Sequence, residues 1–137
     1  MVIITSSAAE RISDEILSTN EEILSVSIMD MRGNILASKS KESFKEALGV
    51  TREGDKYDGT LAVAALAVAN EVKDVFKEAQ AIISIHENCK LMLLPIPSYE
   101  ILVGFVLQRS VNAEGYNIAN KIERLLVDAI ESHNSNL

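Results

Sequence analysis

Between Leu61 and Ala69 the chain reads Leu-Ala-Val-Ala-Ala-Leu-Ala-Val-Ala, without one polar side chain. Neither Gly nor Pro interrupts the stretch, and apolar positions continue at helical spacing through Val72 and Val75 to Ala79. Leu61, Ala65, Val68, Val72, Val75 and Ala79 form one stripe, widened by Ala64 and Phe76, so the spacing predicts a helix over 61–79. Its second half carries Asn70, Glu71, Lys73, Asp74, Lys77 and Glu78 on the other side. Its first half is apolar all round, and such a segment needs cover on more than one face. At 100° per residue, Leu61, Ala65, Val68 and Val72 are assigned to a sheet. Ala62, Val63, Leu66 and Ala67 then project outward, with Ala69, Asn70 and Lys73 along the same side. These seven residues are the candidate dimer or partner interface. The competing arrangement has Phe44 and Leu48 fold over the patch within the same chain.

The rest of the chain supplies that sheet. Ser7 and Glu10 have capping-box spacing, and Ala9, Ile12 and Ile16 make one apolar stripe, predicting a first helix over about 8–17. Leu24, Val26 and Ile28 alternate with Ser25 and Ser27, the period of a strand over 23–30 with one buried face. Met31-Arg32-Gly33-Asn34 is a turn in which Gly33 tolerates positive φ, and residues 35–38 return as a shorter strand. Residues 40–60 are polar and turn-rich. Phe44, Ala47 and Leu48, ended by Gly49, predict a short helix there, followed by an exposed and mobile loop over 52–59.

Three strands follow the central helix, over 81–86, 91–96 and 101–107, with a turn at 87–90. Pro95 and Pro97 cannot donate to a ladder, so the second of these ends there or lies partly on an edge. The third places Ile101, Val103, Phe105 and Leu107 on one face and Leu102, Gly104 and Val106 on the other. Ser110 or Asn112 is expected to cap a last helix over 113–131, buried along Ile118, Ile122, Leu125 and Ala129 with Ala119, Leu126 and Ile130. Residues 132–137 are expected to fray. The expected fold is α+β: one domain over 1–137, a five-stranded antiparallel sheet flanked by helices in the order α-β-β-α-β-β-β-α.

Composition narrows the function. Thirteen basic against 20 acidic residues leave a net charge of −7, which disfavours a nucleic-acid surface. The absence of Trp and scarcity of Phe and Tyr argue against base-stacking platforms. The first residues lack the pattern of a signal peptide, and no apolar run reaches a membrane span, so a cytoplasmic location is expected. Glu10, Asp14, Glu15, Glu21 and Glu22 read as a solvated face.

Chemistry-bearing patterns are sparse. His86 and Cys89 stand three apart at a turn, but no further pair completes a zinc site and no base network activates the thiol. Both are expected to be dispensable. The six glycines are scattered singly, so no phosphate-binding loop is present. Asp30 to Asn34 lacks the bidentate Glu of a calcium loop. The reading is of a protein that is not an enzyme, with no catalytic residue, no metal and no cofactor.

The strand Ile23–Asp30, its Asp-x-x-Gly turn and the return strand ending in small residues resemble the opening hairpin of roadblock (dynein light-chain) domains, within the longin and profilin-like fold group. The Ala-rich helix and the closing meander and helix fit as well, over about residues 8–131. The resemblance implies a non-catalytic dimerising module that scaffolds or regulates Ras-like small GTPases and works by surface. A small-molecule sensor of the PAS or GAF kind is the alternative, and an enzyme on a similar scaffold is a third.

Overall fold

A computed structural model describes residues 4–44, 60–111 and 116–135. Helix α1 spans Ser6–Thr19. Its N-cap is Thr5, whose Oγ1 accepts from the Ala8 amide at 3.1 Å, so the expected Ser7–Glu10 box is not the cap. A cap side chain satisfies one of the helix's orphan donors, and Thr5 does so one turn before Ala8 and Ala9 begin the buried stripe. That stripe continues through Ile12 and Ile16. At the other end Asn20 donates from Nδ2 to the Ile16 carbonyl at 2.9 Å.

Strand β1 (Ile23–Asp30) pairs antiparallel with β2 (Ile35–Ser40) on one side and β5 (Ile101–Gln108) on the other. Strand β2 runs two residues beyond its expected end, because Ser25 and Ser40 pair across the ladder and their hydroxyls meet at 2.8 Å. Ser27 and Ser38 repeat the contact at 3.0 Å. Register shifts at Leu24 against β5, so Ile23, not Leu24, enters the core beside Val26 and Ile28. Such a bulge adds a residue to one strand and re-aims the side chains around it.

After residues 60–81, strand β3 (Ile82–Ile85) pairs with β4 (Cys89–Ile96), which pairs with β5. Sheet order is β2-β1-β5-β4-β3. Cys89 and Lys90, expected in the turn, are strand residues; the turn is tighter, with the His86 amide bonded to the Cys89 carbonyl at 2.9 Å. β3 pairs only with Lys90–Leu93, so at Pro95 β4 has no strand beyond it and the missing N–H leaves no gap in a ladder.

Helix α4 is described from Tyr116 to Ser135, running past the expected start of the frayed tail. Its described core residues are Leu126, Ala129 and Ile130, with Leu125 only half buried. Helices α1 and α4 pack together on one face of the sheet, over Val26, Ile28, Met92, Leu94, Val103 and Phe105. Residues 42–44 open a helical turn; the remainder of the expected short helix and mobile loop, Ala47 to Gly59, lies outside the described residues, as does the expected cap Asn112, while Ser110 is an exposed residue of the turn after β5.

Candidate functional site

The other face of the sheet carries the apolar helix. Helix α2 spans Thr60–Ala69, continues as a 3-10 turn over Asn70–Val72, and ends in the short α3, Lys73–Phe76. The predicted unbroken helix to Ala79 is therefore interrupted at Val72 (φ −105°, ψ 16°) and stops at Lys77. Lys77 takes φ 68° and ψ −173°, a region that glycine alone enters freely and that costs another residue about 1–3 kcal/mol. The stop is held by Asn70, whose Oδ1 accepts from the Ala79 amide at 2.9 Å.

The rotation of α2 is opposite to the expectation. Leu66 is 9% exposed and packs on Met29, Leu93 and Leu102 of this chain's own sheet, with Ala62, Val63, Ala79 and Ile82 around it. Of the seven residues selected from sequence, Leu66 is thus turned inward, Ala62, Val63, Ala69 and Asn70 are half buried, and Ala67 and Lys73 are exposed. Of those assigned to the sheet, Val68 is 72% exposed and Val72 49%, and Ala65 is exposed at the edge of the sheet face. A segment apolar on every side has no polar face to set its rotation. The rotation is set instead by Leu66, a large side chain that fills the hollow between Met29, Leu93 and Leu102.

Sequence reasoning missed what this leaves outside. Val68, Val72, Val75 and Phe76 form a row of exposed apolar side chains, Val75 and Phe76 each 73% exposed. Ile85 on β3, a strand at the edge of the sheet, is also exposed. The signal was present as the stripe itself, read as inward-facing.

Beside α2 the same sheet face holds a groove of about 300 Å³. Ile82, Leu91, Leu93 and Val106 give it an apolar floor, Ala62 and Ala65 border it, and Ser25, Ser27 and Ser84 supply polar edges. Gly104 sits within it; a methyl group there would meet only the Met29 Cε, at 3.7 Å. Ser84 Oγ lies 2.8 Å from His86 Nε2. Cys89 is buried, and burial pushes its thiol pKa up, away from the reactive thiolate.

At the far end of β1 the hairpin is closed by Asp30. Its Oδ1 accepts from the Arg32 and Asn34 amides at 2.8 and 2.9 Å, and its Oδ2 from Asn34 Nδ2 at 2.8 Å. The Asn34 side-chain bond, with help from both amides, holds the carboxyl below its ordinary value. Gly33 takes φ 89°, the conformation that the Asp-x-x-Gly pattern requires. Of the acidic residues read as a solvated face, Glu22 is half buried and pairs with Lys121 at 3.1 Å. Among the described residues no group of three or more His, Cys, Asp or Glu is placed to hold a metal ion, and no helix is long and apolar enough to cross a membrane.

No protein-family model matches this sequence, and no curated protein matches it. Solved structures do. A roadblock/LC7 domain from Streptomyces avermitilis superposes with TM-score 0.60 at 7% identity, over 93% of this chain and 95% of that one. The gliding protein MglB from Thermus thermophilus gives 0.59 at 15% identity, over 93% and 91%. A profilin, LokiProfilin1, solved in complex with rabbit actin, gives 0.53 at 12% identity, over 95% and 98%. The fold is of the roadblock type, an α+β architecture shared with profilin-like proteins.

Proposed function

We propose that this roadblock-like chain is a non-catalytic, dimeric protein-interaction module of the cytoplasm, a scaffold or regulator for a Ras-like small GTPase. The observation that carries the reading is the exposed row Val68, Val72, Val75 and Phe76 on α2 and the turns after it. Four large apolar side chains left exposed on one short segment support an interaction site there. In this reading the interface is centred on the exposed row of α2 and α3, with Ala67 and Lys73 at its margin and Leu66 as its internal support. The GTPase follows from the roadblock resemblance of the hairpin and the meander. Sedimentation at tens of micromolar should give a dimer for the natural chain and a folded monomer for Val68→Ser/Val75→Ser. Proteins captured from native lysate by the first and not the second should include a small GTPase. A strict monomer in both cases overturns the dimer.

The groove favours a second reading, a small-molecule sensor. Its size reaches the lower end of ligand pockets, and its few polar groups stand at the edges of an apolar floor. A thermal-shift screen against nucleotides and metabolites tests it. A compound that raises the melting temperature of the natural chain, and not of Gly104→Phe, would favour the sensor.

A further inference from the structure

We infer that the segment Asn70–Ala79 is a two-state element: the broken form described above, and a straight form in which α2 runs on through Ala79 and completes a helical seam for a second copy of this chain. The inference rests on the dimer reading above.

Five observations lead to it. Leu61, Ala65, Val68, Val72, Val75 and Ala79 are spaced 4, 3, 4, 3 and 4 residues apart. That is heptad spacing, by which one helix presents a seam to another helix. Of the seam's members Val68, Val72 and Val75 are exposed and lie outside the cluster around Leu66, while Ala65 borders the groove beside the sheet. The seam is also incomplete: Ala79 is off it, half buried beside Leu66, and Val72 lies in the 3-10 turn.

The break itself is not demanded by composition. Neither Gly nor Pro occurs between Thr60 and Ala79, and the residue forced into the glycine region is a lysine. Helices that end in a positive-φ residue usually place glycine there. Finally, the broken form has a specific latch, the Asn70 Oδ1 bond to the Ala79 amide at 2.9 Å. In a straight helix the Ala79 amide would donate to the Val75 carbonyl four residues back. One hydrogen bond is exchanged for another, the strain at Lys77 is released, and the burial of Ala79 is given up. Gln80 and Ala81 remain to reach β3, a length at the short end of helix-to-strand connections. A second copy covering Val72, Val75 and Ala79 together favours the straight form, because only there do the three share one line.

Two variants of the full chain push the equilibrium in opposite directions, and neither residue belongs to the buried clusters. Asn70→Ala removes the latch and inserts the strongest helix former; Lys77→Gly relieves the broken form and weakens the straight one. Sedimentation should show the first dimerising at least fivefold more tightly and the second at least tenfold more weakly. Backbone chemical shifts at 77–79 should turn helical in Asn70→Ala and stay non-helical in Lys77→Gly. Equal dimer affinities in all three proteins, or non-helical shifts at 77–79 in both monomer and dimer of Asn70→Ala, overturn the inference. Should the natural chain fail to associate, the dimer reading falls. The shifts at 77–79 in monomeric Asn70→Ala then decide the two-state element alone: helical supports it, non-helical overturns it.

Discussion

Strand β5 presents Ile101, Val103, Phe105 and Leu107 to one face of the sheet and Leu102, Gly104 and Val106 to the other, and the two sets are treated differently. The first set is sealed under α1 and α4 in a continuous cluster reaching from Ile4 to Ile130. Of the second set, Leu102 alone is fully enclosed, in a cluster of four buried residues under α2, while Gly104 and Val106 border an open groove. Apolar area removed from water is the main favourable term in folding. The α1/α4 face therefore holds the chain together, and the α2 face spends its apolar side chains on surface. A chain that leaves Val68, Val75 and Phe76 exposed on one face, while excluding water from the other, draws its stability mainly from the sealed face.

That asymmetry has measurable consequences. Phe105→Ala, on the sealed face at 2% exposure, should cost about 3–5 kcal/mol in urea unfolding. Leu66→Ala should cost about 2 kcal/mol, the low end for a buried leucine, because its cluster is small and can relax. Equal losses at the two sites would abolish the distinction between the faces. Between these and the surface lies the hairpin: Gly33→Ala forces a side chain into φ 89° and should cost about 1–2 kcal/mol by the same assay.

Smaller still is the effect of Val75→Ser with Phe76→Ser, which should leave monomer stability within about 0.5 kcal/mol while weakening self-association. A loss as large as that of Leu66→Ala would mean that the row is part of the folded core. The smallest effect is electrostatic. Asp30 is held below its ordinary 3.8, first by the Asn34 side chain and then by the Asn34 and Arg32 amides. A depressed carboxyl stabilises the folded state above its unfolded value and loses that contribution as pH falls through the folded value. Thermal melts should therefore show a decline below about pH 3.8 that is shallower in Asp30→Asn, where the amide does not titrate and the depressed Glu22 still does.

The sealed face was the legible one. Period-two alternation in β5 and the 3.6 period of Ala9, Ile12 and Ile16 each have a polar counter-face, so the side that turns inward is written in the pattern. In β1 the alternation named Leu24, and the bulge exchanged it for Ile23; a bulge leaves no mark in hydrophobicity. The cap moved from Ser7 to Thr5 because both hydroxyls precede the same stripe. On the open face the pattern carried less. The first half of α2 is apolar on every side, so its rotation depended on the fit of Leu66 between Met29, Leu93 and Leu102, a tertiary fact. The end of the helix at Lys77 had no stop residue to announce it. The residues chosen as candidate interface assumed a rotation of α2 that the structure does not have, for the same reason.

The two serine pairs across β1 and β2 have a consequence for how the edge strand finds its place. A slip of β2 by one residue would throw Ala37 out of the core and is opposed by burial. A slip by two keeps each side chain on its face, and burial discriminates against it poorly. Only the native alignment satisfies both hydroxyl pairs, Ser25 with Ser40 and Ser27 with Ser38; a two-residue slip sets Ser25 against Ser38 or Ser27 against Ser40 and leaves the other pair broken. The serines thus act as a vernier, counting pairs of residues where hydrophobicity counts only odd from even.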